Sequence, residues 1–311
     1  MKLASSVGIA ALALACAPAQ AWHDKGHMEV AAVAWTKLTP VARAEVARLL
    51  TFNPLYHSWV VDAPEAERDE TAFLKAAIWP DTIKSMHGYH NDGPDHGDRP
   101  PPGPDASRNI GYADHLRHKY WHFIDLPFSP DGTPTRDPDK PNAQTQIATF
   151  RATLADRHAT DDVRSYDLVW LLHLVGDVHQ PLHATSRFTA TQTDGDAGGN
   201  HVVIDCGCSA SELHAFWDGV VGESNDPQVA IKAAGGLPAA NPALASIADE
   251  KLWIEESLDL AKKQVYVAPV GVGDGPFSLD PTYKANALKV AKDRIATAGA
   301  RLGNLLNEAL K

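Results

Sequence analysis

Histidine and aspartate residues occur in pairs four residues apart in two segments of the chain. His173 and Asp177 lie in the run LLHLVGDVHQPLH, which also contains His183, and His214 and Asp218 lie in LHAFWD. A separation of four places two side chains one turn apart on the same face of a helix. A nitrogen and an oxygen ligand on one face suit a cation such as zinc. Two such pairs indicate more than one metal ion and metal-assisted hydrolysis.

Further candidate ligands precede these pairs. They are His27, Asp81 in Trp79-Pro80-Asp81, and His122 in WHFID. An isolated histidine in an apolar run is more commonly a hydrogen-bonded core residue, and a His–Asp hydrogen bond between helices is the structural alternative for each pair. A buried carboxylate without a partner is costly, however, so the repetition of the pair favours metal ligation.

The elements that must position these residues are mostly helices. Asn142 and Thr39-Pro40 are helix-start signals, and Pro181 ends the apolar helix that contains His173 and Asp177. The last helix is expected to bend near Gly299 or Gly303. Apolar spacing predicts helices over 26–38, 40–50, 143–159, 166–180, 246–266 and 283–310, with a short β segment at 201–205.

The composition is that of a globular protein of 311 residues, with 44% hydrophobic residues and a formal net charge of −11. Such a surface does not favour a polyanion, so a nucleic-acid substrate requires local positive charge, which bound metal ions supply. No internal repeat or domain boundary is evident, which predicts one domain over 22–311. A cysteine-rich zinc site is excluded, because only Cys206 and Cys208 follow the leader. Their pairing stays open.

The first 21 residues are typical of a secretory signal. Lys2 is followed by an apolar stretch over 7–15 and by the cleavage pattern Ala19-Gln20-Ala21. The stretch is too short to span a bilayer, so the mature chain is expected to begin at Trp22 without a transmembrane segment, in the periplasm or outside the cell. The alternative is a lipoprotein that begins at Cys16. Nothing in the sequence indicates an obligate protein partner.

A long segment rich in His, Asp, Gly and Pro covers 87–112. His87, His90 and His96 are either a metal-binding tract or part of a solvated loop. The segment has no core-forming pattern, so we interpret it as a solvated loop.

The order of these motifs resembles a known family. Trp22…Gly26-His27, Trp79-x-Asp81, His122-Phe-Ile-Asp125, His173-x3-Asp177-x5-His183, Gly198-Gly199-Asn200 and His214-x3-Asp218 are similar to the zinc-dependent single-strand-specific nucleases, also called type I nucleases or nuclease/3′-nucleotidases. The resemblance implies an all-α, single-domain, multi-helix fold that zinc phospholipases C share. The C-terminal helices contain no signature residues.

The resemblance also implies a cluster of three zinc ions per chain. One zinc takes Asp81, His122, His173 and Asp177, and a second takes His183, His214 and Asp218. The third takes His27, the other oxygen of Asp177, and the α-amino nitrogen and carbonyl oxygen of Trp22. That amine is free only after the leader is removed.

The activity implied is hydrolysis of single-stranded DNA and RNA to 5′-phosphorylated products by a zinc-bound hydroxide, together with 3′-nucleotidase activity. Asp81 orients the hydroxide, and Lys84 offsets charge on the phosphoryl oxygens. Phe123 stacks on the base, Asp125 bonds to its edge and Asn200 contacts the substrate. The structural alternatives are core packing for Phe123 and a tight turn for Asn200.

Two other functions remain open at this point. A zinc phospholipase C on the same scaffold releases phosphorylated headgroups in place of 5′-nucleotides. A zinc-binding protein without enzymatic activity binds the metal tightly and hydrolyses no phosphodiester. Three closely spaced sites that share Asp177 disfavour simple storage.

Overall fold

The described part of the chain is almost entirely helical. The computed structural model describes residues 22–311, so the expected leader and both hypotheses about its processing lie outside the described residues. The α-helices are α1 (Asp24–Lys37), α2 (Pro40–Leu50), α3 (Tyr56–Val60), α4 (Arg68–Ala76), α5 (Trp79–Ser85), α6 (Ala143–Ala155), α7 (Asp161–Asp177), α8 (Leu213–Gly219), α9 (Pro227–Ala234), α10 (Pro242–Ala245), α11 (Glu250–Leu260) and α12 (Pro281–Ala309). A π-helical turn at Ala261–Val265 continues α11.

The strands are two-residue segments that join distant parts of the chain. The first pair is β1 (Pro127–Phe128) with β2 (Ser186–Arg187), and the second is β3 (Ile204–Asp205) with β4 (Phe277–Ser278). Both pairs are parallel. The prediction of an all-α fold with minor β segments is therefore confirmed. No helix within 22–311 is long and apolar enough to cross a membrane.

The helix starts follow local capping rules. The Thr39 side chain accepts a hydrogen bond from the backbone of Ala42, and Asn142 forms a reciprocal capping box with Thr145, as their positions before α2 and α6 predict. The predicted start of α7 at 166 is wrong. The helix begins at Asp161 because Thr160 caps it through Val163, and α6 consequently ends before the predicted residue 159.

Helix α7 is the central element of the fold. Every residue from Arg164 to Asp177 is buried, and α1, α2, α4, α5, α6 and α12 pack around it. Trp170 lies in the middle of an aromatic cluster with edge-on contacts to Trp79, Trp121 and Tyr166. A helix that is apolar all round is stable only when it is enclosed in this way. Its two polar residues near the C-terminal end are His173 and Asp177, which are therefore held deep in the protein.

The expected bend in the last helix does not occur. Helix α12 continues through Gly299 and Gly303, which lie against α1. A Cβ atom on Gly299 would lie 2.5 Å from Cβ of Val33, and one on Gly303 would lie 2.9 Å from Cβ of Lys37. The two glycines thus allow two helix backbones to approach closely, which is a packing role that the sequence pattern did not distinguish from a hinge.

The segment 87–112 is largely exposed, as expected for a solvated loop, but a few of its residues are buried anchors. His87, His90 and His96 are exposed, as expected for a loop. Tyr112 is buried, however, and its hydroxyl is bonded to Asn53 and Ser165. Indole and phenol groups from the following segment donate hydrogen bonds to the carbonyl of buried Ala106. The segment lacks helical or strand periodicity because irregular contacts of this kind secure it.

Candidate metal centre

The C-terminal end of α7 supplies the first pair of candidate ligands. His173 and Asp177 are fully buried, and Nε2 of His173 lies 3.4 Å from Oδ2 of Asp177. The imidazole Nδ1 of His173 donates to the carbonyl of Ala77 at 2.8 Å. This bond places the proton on Nδ1 and leaves the lone pair of Nε2 directed at the other ligands.

Two residues from other segments complete this group. Nδ1 of His122 lies 3.0 Å from Nε2 of His173 and 3.2 Å from Oδ2 of Asp177. Asp81, in the first turn of α5, places Oδ1 at 3.6 Å from Nε2 of His173 and 3.8 Å from Nδ1 of His122. The structure thus brings together four residues that are separated by up to 96 positions. Ligand atoms of His122, His173 and Asp177 form one compact group, and Asp81 lies in a second with His173 and His27.

The second pair forms a separate group with His183. Nε2 of His183 lies 3.0 Å from Nε2 of His214. Oδ2 of Asp218 lies 3.4 Å from Nε2 of His214. Each imidazole donates its Nδ1 proton to a backbone carbonyl, His183 to His122 at 3.0 Å and His214 to Gly198 at 2.7 Å. Both Nε2 atoms are therefore acceptors that face each other.

His27 lies on the far side of Asp177. Its Nε2 is 3.3 Å from Oδ1 of Asp177, whereas the other carboxylate oxygen faces His122 and His173. The imidazole of His27 stacks on that of His173 with ring centroids 3.8 Å apart. A Cβ atom on Gly176 would lie 2.8 Å from Nδ1 of His27, so the glycine before Asp177 allows this approach.

Trp22 anchors the beginning of the described chain at the same place. Its side chain is fully buried, and its indole nitrogen donates to the carbonyl of Gly176 at 3.1 Å. The backbone of Trp22 is thereby held next to the turn of α7 that contains Asp177. A Cβ atom on Gly26 would lie 2.6 Å from Cβ of Trp22, which explains a glycine at that position.

Several polar atoms of these residues are buried without a partner. They are both ring nitrogens of His27, both oxygens of Asp81, Nε2 of His122, both oxygens of Asp177 and Oδ2 of Asp218. Burial lowers the pKa of His27, His173 and His214 to about 4 and raises that of Asp177 to about 8. Divalent cations offset the free-energy cost of burying these unpaired atoms, because they bind neutral imidazole nitrogens and ionised carboxylates. The residues present therefore fit a set of zinc ions.

Lys84 provides a positive charge within the site. The lysine lies in the last turn of α5, and its buried ammonium group is 2.7 Å from Oδ1 of Asp81. Burial raises the pKa of the Asp81 carboxyl, but Lys84 and neighbouring imidazoles outweigh it, so the pKa lies below its usual value. Asp81 is thus held as a carboxylate.

Phe123 and Asp125 lie beside the centre on the segment that follows His122. Both are half-buried, and they line a small cavity of about 40 Å³ together with Arg99 and Arg136. Burial, with a smaller contribution from Asp196, raises the pKa of Asp125 to about 7. The backbone amide of Ile124 donates to the carbonyl of His183 at 2.9 Å, which connects this segment to the second ligand group.

The remaining predicted contact, Asn200, lies in a turn. Its amide donates to the carbonyl of Ala197 at 2.7 Å, which is the local bond of the structural alternative. The sequence analysis missed Gln180, whose amide donates to Oδ1 of Asp218 at 2.7 Å. It also missed the carbonyl of Gly198 as the partner of His214. The cysteines left open, Cys206 and Cys208, form a disulfide.

Comparison with known proteins defines the class to which the chain belongs. The model of the S1/P1 Nuclease family matches residues 22–311, and the chain therefore belongs to this family. This confirms the resemblance that the motif order indicated.

Individual relatives are plant endonucleases. The chain is similar to Endonuclease 5 of Arabidopsis thaliana, at 32% identity over 158 residues that cover 45% of this chain and 49% of that protein. It is also similar to Endonuclease 2 of the same plant, at 23% identity over 299 residues covering 92% of this chain and 89% of the relative. Endonuclease 3 is 30% identical over 158 residues, which cover 45% and 50%. The match thus spans about half the length of two of these relatives.

Proposed function

We propose that the protein is a secreted or periplasmic zinc-dependent phosphodiesterase. It hydrolyses single-stranded DNA and RNA to 5′-phosphorylated products and also removes the phosphate of 3′-nucleotides. Membership of the S1/P1 nuclease family and the similarity to plant endonucleases support a nuclease function.

The observation that carries the proposal is the approach of two ring nitrogens. Nε2 of His183 and Nε2 of His214 are 3.0 Å apart, and both rings hold their protons on Nδ1. Two lone pairs repel at this distance unless a cation lies between them. Protonation does not provide that charge, because burial lowers the pKa of His183 well below its usual value and that of His214 to about 4. A divalent metal ion does.

The ligand positions support three zinc ions rather than one. His183, His214 and Asp218 would hold one ion. Asp81, His122, His173 and Asp177 would hold a second. His27 and the backbone of Trp22 would hold the third together with Asp177, whose Oδ1 faces His27 while its Oδ2 faces His122. A carboxylate, with two oxygens, suits a position that faces both groups.

The residues of the chain have distinct roles in hydrolysis. The chemistry that bound zinc supplies is Lewis acidity, which lowers the pKa of water toward 7 and offsets charge on phosphoryl oxygens. Asp81 orients the attacking water through its carboxylate, which the lowered pKa keeps ionised. Lys84 holds its ammonium group at the same oxygen and stabilises negative charge on the phosphoryl group.

Phe123 and Asp125 are the proposed base-binding residues. The half-buried ring of Phe123 offers a stacking face, and the Asp125 carboxyl lies in the same small cavity. Burial raises the pKa of Asp125 to about 7, and in its ionised form the group accepts N–H groups from the edge of a base. Stacked bases in a duplex are not available for this contact, which accounts for a preference for single strands.

Removal of the leader completes the site in this proposal. The α-amine and carbonyl of Trp22 form a five-membered chelate only when Trp22 is the first residue. A form that begins with Met before Trp22 should fold, yet bind less zinc and turn over slowly. Cleaved Trp22→Ala should keep the chelate but lose stability, because the indole bond to Gly176 is lost. Equal zinc content and equal rates for the extended and cleaved forms would exclude the terminal amine as a ligand.

One experiment tests the function directly. Single-stranded DNA and RNA are digested with the mature protein, and the position of phosphate on the products is determined. Zinc per chain is measured by elemental analysis. We expect three zinc ions and 5′-phosphorylated products. Phosphocholine released from phosphatidylcholine, with no nucleotide release, identifies a phospholipase C. Tight zinc binding without hydrolysis of either substrate identifies a metal-binding protein.

The base-binding role has its own matched control. Phe123→Ala and Asp125→Ala should change base preference and Michaelis constants, because stacking contributes about 1–3 kcal/mol per base. Phe128→Ala removes an aromatic ring five residues after Phe123, outside the small cavity, and should leave the base profile unchanged. Identical base profiles for all three variants reject the pocket.

A further inference from the structure

The turn at Gly198 and Gly199 holds one of the candidate ligands in place. Its backbone has positive φ angles of 61° and 83°, which glycine adopts without strain. The carbonyl of Gly198 accepts the Nδ1 proton of His214 at 2.7 Å. A Cβ atom on Gly198 would lie 2.3 Å from the carbonyl oxygen of Leu182, so the turn also packs against the segment that contains His183. The turn therefore orients His214 and lies against the segment that contains His183.

A buried aspartate organises this turn. Asp196 is fully buried, and its Oδ1 accepts hydrogen bonds from the amides of Arg187 at 2.9 Å and Gly199 at 3.2 Å. Its Oδ2 accepts from the hydroxyl of Tyr266 at 2.8 Å. The backbone carbonyl of Asp196 accepts from Gly199 at 3.0 Å and from His201 at 3.1 Å. One residue thus fixes both ends of the glycine turn.

A buried arginine in turn holds the aspartate. Arg187 is 1% exposed, and its Nε lies 3.3 Å from Oδ2 of Asp196. Its terminal nitrogens donate to the carbonyls of Gly271 at 2.6 Å and Gly273 at 3.0 Å, and its guanidinium lies 4.7 Å from the ring centroid of Tyr266. A buried charge is tolerated only with such partners. Arg187 also lies in β2, which pairs with the strand that follows Asp125.

We propose that Asp196, supported by Arg187 and Tyr266, is a positioning residue for one metal ion of the centre. It holds the Gly198 carbonyl where it fixes the tautomer and orientation of His214, so that Nε2 faces His183 and Asp218. The inference rests on the proposed zinc centre. It assigns to these residues an effect on one ion only, because no bond from the turn reaches His27, His122 or His173 among residues 22–311.

Metal chemistry sets the size of the expected effect. A histidine ligand is oriented by the partner of its second nitrogen, and loss of such outer groups costs about 10–100-fold in metal affinity. Asp196→Ala removes the acceptor of the Gly199 amide in the turn and of the Arg187 amide in β2. Asp196→Asn keeps one oxygen for those amides and should recover much of the affinity. Tyr266→Phe removes only one donor and should produce the smallest loss.

Asp131→Ala is the matched control. Asp131 is also an aspartate that organises a turn, accepting from Thr133 and from the amide of Ala190, but it has no bond to a metal ligand. Zinc release is followed for the zinc-loaded proteins by competition with a chelator, and cobalt-substituted samples report ligand geometry by absorption. Thermal unfolding in excess zinc separates loss of affinity from loss of folding.

The expected result is selective. In Asp196→Ala one zinc of three should be released at about 10–100-fold lower chelator concentration, with an altered cobalt spectrum. The other two ions and all three in Asp131→Ala should behave as in the wild type.

Wild-type affinity in Asp196→Ala, or equal weakening of all three ions, overturns the proposal. If Asp196→Ala does not fold, unchanged release from both Asp196→Asn and Tyr266→Phe overturns it. A wild-type protein without zinc overturns the proposed function as well, so the two failures are distinguishable.

Discussion

Two clusters of buried histidine and aspartate are centred on His118 and His122, and they differ in the partners of their ring nitrogens. In the structural cluster, Nδ1 of His118 lies 2.7 Å from Asp92 and Nε2 lies 2.9 Å from Asp114. In the candidate metal centre, Nδ1 of His122 faces Nε2 of His173 at 3.0 Å and Oδ2 of Asp177 at 3.2 Å. Both rings are buried and both contact aromatic neighbours.

The two clusters also differ in the charge that they favour. Burial alone would lower the pKa of His118, but its two carboxylate partners raise the pKa above the usual value. Burial and the surrounding positive groups lower the pKa of His122 well below it. A histidine between two carboxylates holds a proton, whereas histidines that face one another require an external cation. Ligand atoms that converge on one another, rather than residue types, therefore distinguish the candidate metal ligands from structural residues.

The largest expected effect comes from Asp177, the proposed bridging carboxylate. Asp177→Asn removes a charge and one good oxygen ligand, so metal content and hydrolysis should fall together, by more than the roughly 100-fold expected for outer groups. Asp114→Asn makes the same chemical change in the structural cluster and should leave zinc content unchanged. Elemental analysis and phosphodiesterase rates measure both. Three zinc ions and normal turnover in Asp177→Asn would remove the basis of the comparison.

Chelation should affect one cluster and not the other. Removing metal with EDTA should abolish activity and lower the melting temperature by on the order of 10 °C, because bound ligand at high saturation contributes about 4 kcal/mol. The shift should be of the same size in wild type and in His118→Asn, since His118 is not a ligand. A markedly smaller shift in the variant contradicts this separation.

Breaking the structural cluster should lower stability without loss of zinc. His118→Asn leaves two buried carboxylates short of a cationic partner and should cost about 3–5 kcal/mol of unfolding free energy. Asparagine tolerates the left-handed backbone at this position, where φ is 44°. The measurements are urea unfolding and zinc content of the folded variant. Loss of zinc from folded His118→Asn would show that the two clusters are coupled.

The smallest expected effect is a change with pH in the stability difference between wild type and His118→Asn. The raised pKa of His118 means that its contribution is fully present below the usual value of 6.5 and is lost as pH rises through the higher folded pKa. The stability difference between wild type and His118→Asn should therefore shrink from pH 6 to pH 9. Zinc-saturated samples are compared, so that titration of the metal ligands is common to both. A constant difference over this range shows that His118 is bonded as a neutral ring.

Features that depend on local spacing could be predicted from the sequence. His173 and Asp177 face the same way because four residues make one helical turn, and caps at Thr39 and Asn142 start helices through bonds to nearby amides. The order of the motifs was enough to indicate the family. These features follow from bonds and angles within a few residues, which sequence alone determines.

Tertiary structure decided which of the histidines and aspartates are brought together and what they contact. His118 and His122 are four residues apart in the chain, yet His118 is hydrogen-bonded to Asp92 and Asp114, whereas His122 faces Asp177. Gly299 and Gly303 proved to be packing positions, because α1 lies against them. The link from Arg187 to His214 passes through Asp196 and a glycine turn, with no spacing rule to reveal it. Burial and partners arise from segments far apart in the chain, so only the folded protein defines whether a polar atom is satisfied or free to bind a metal.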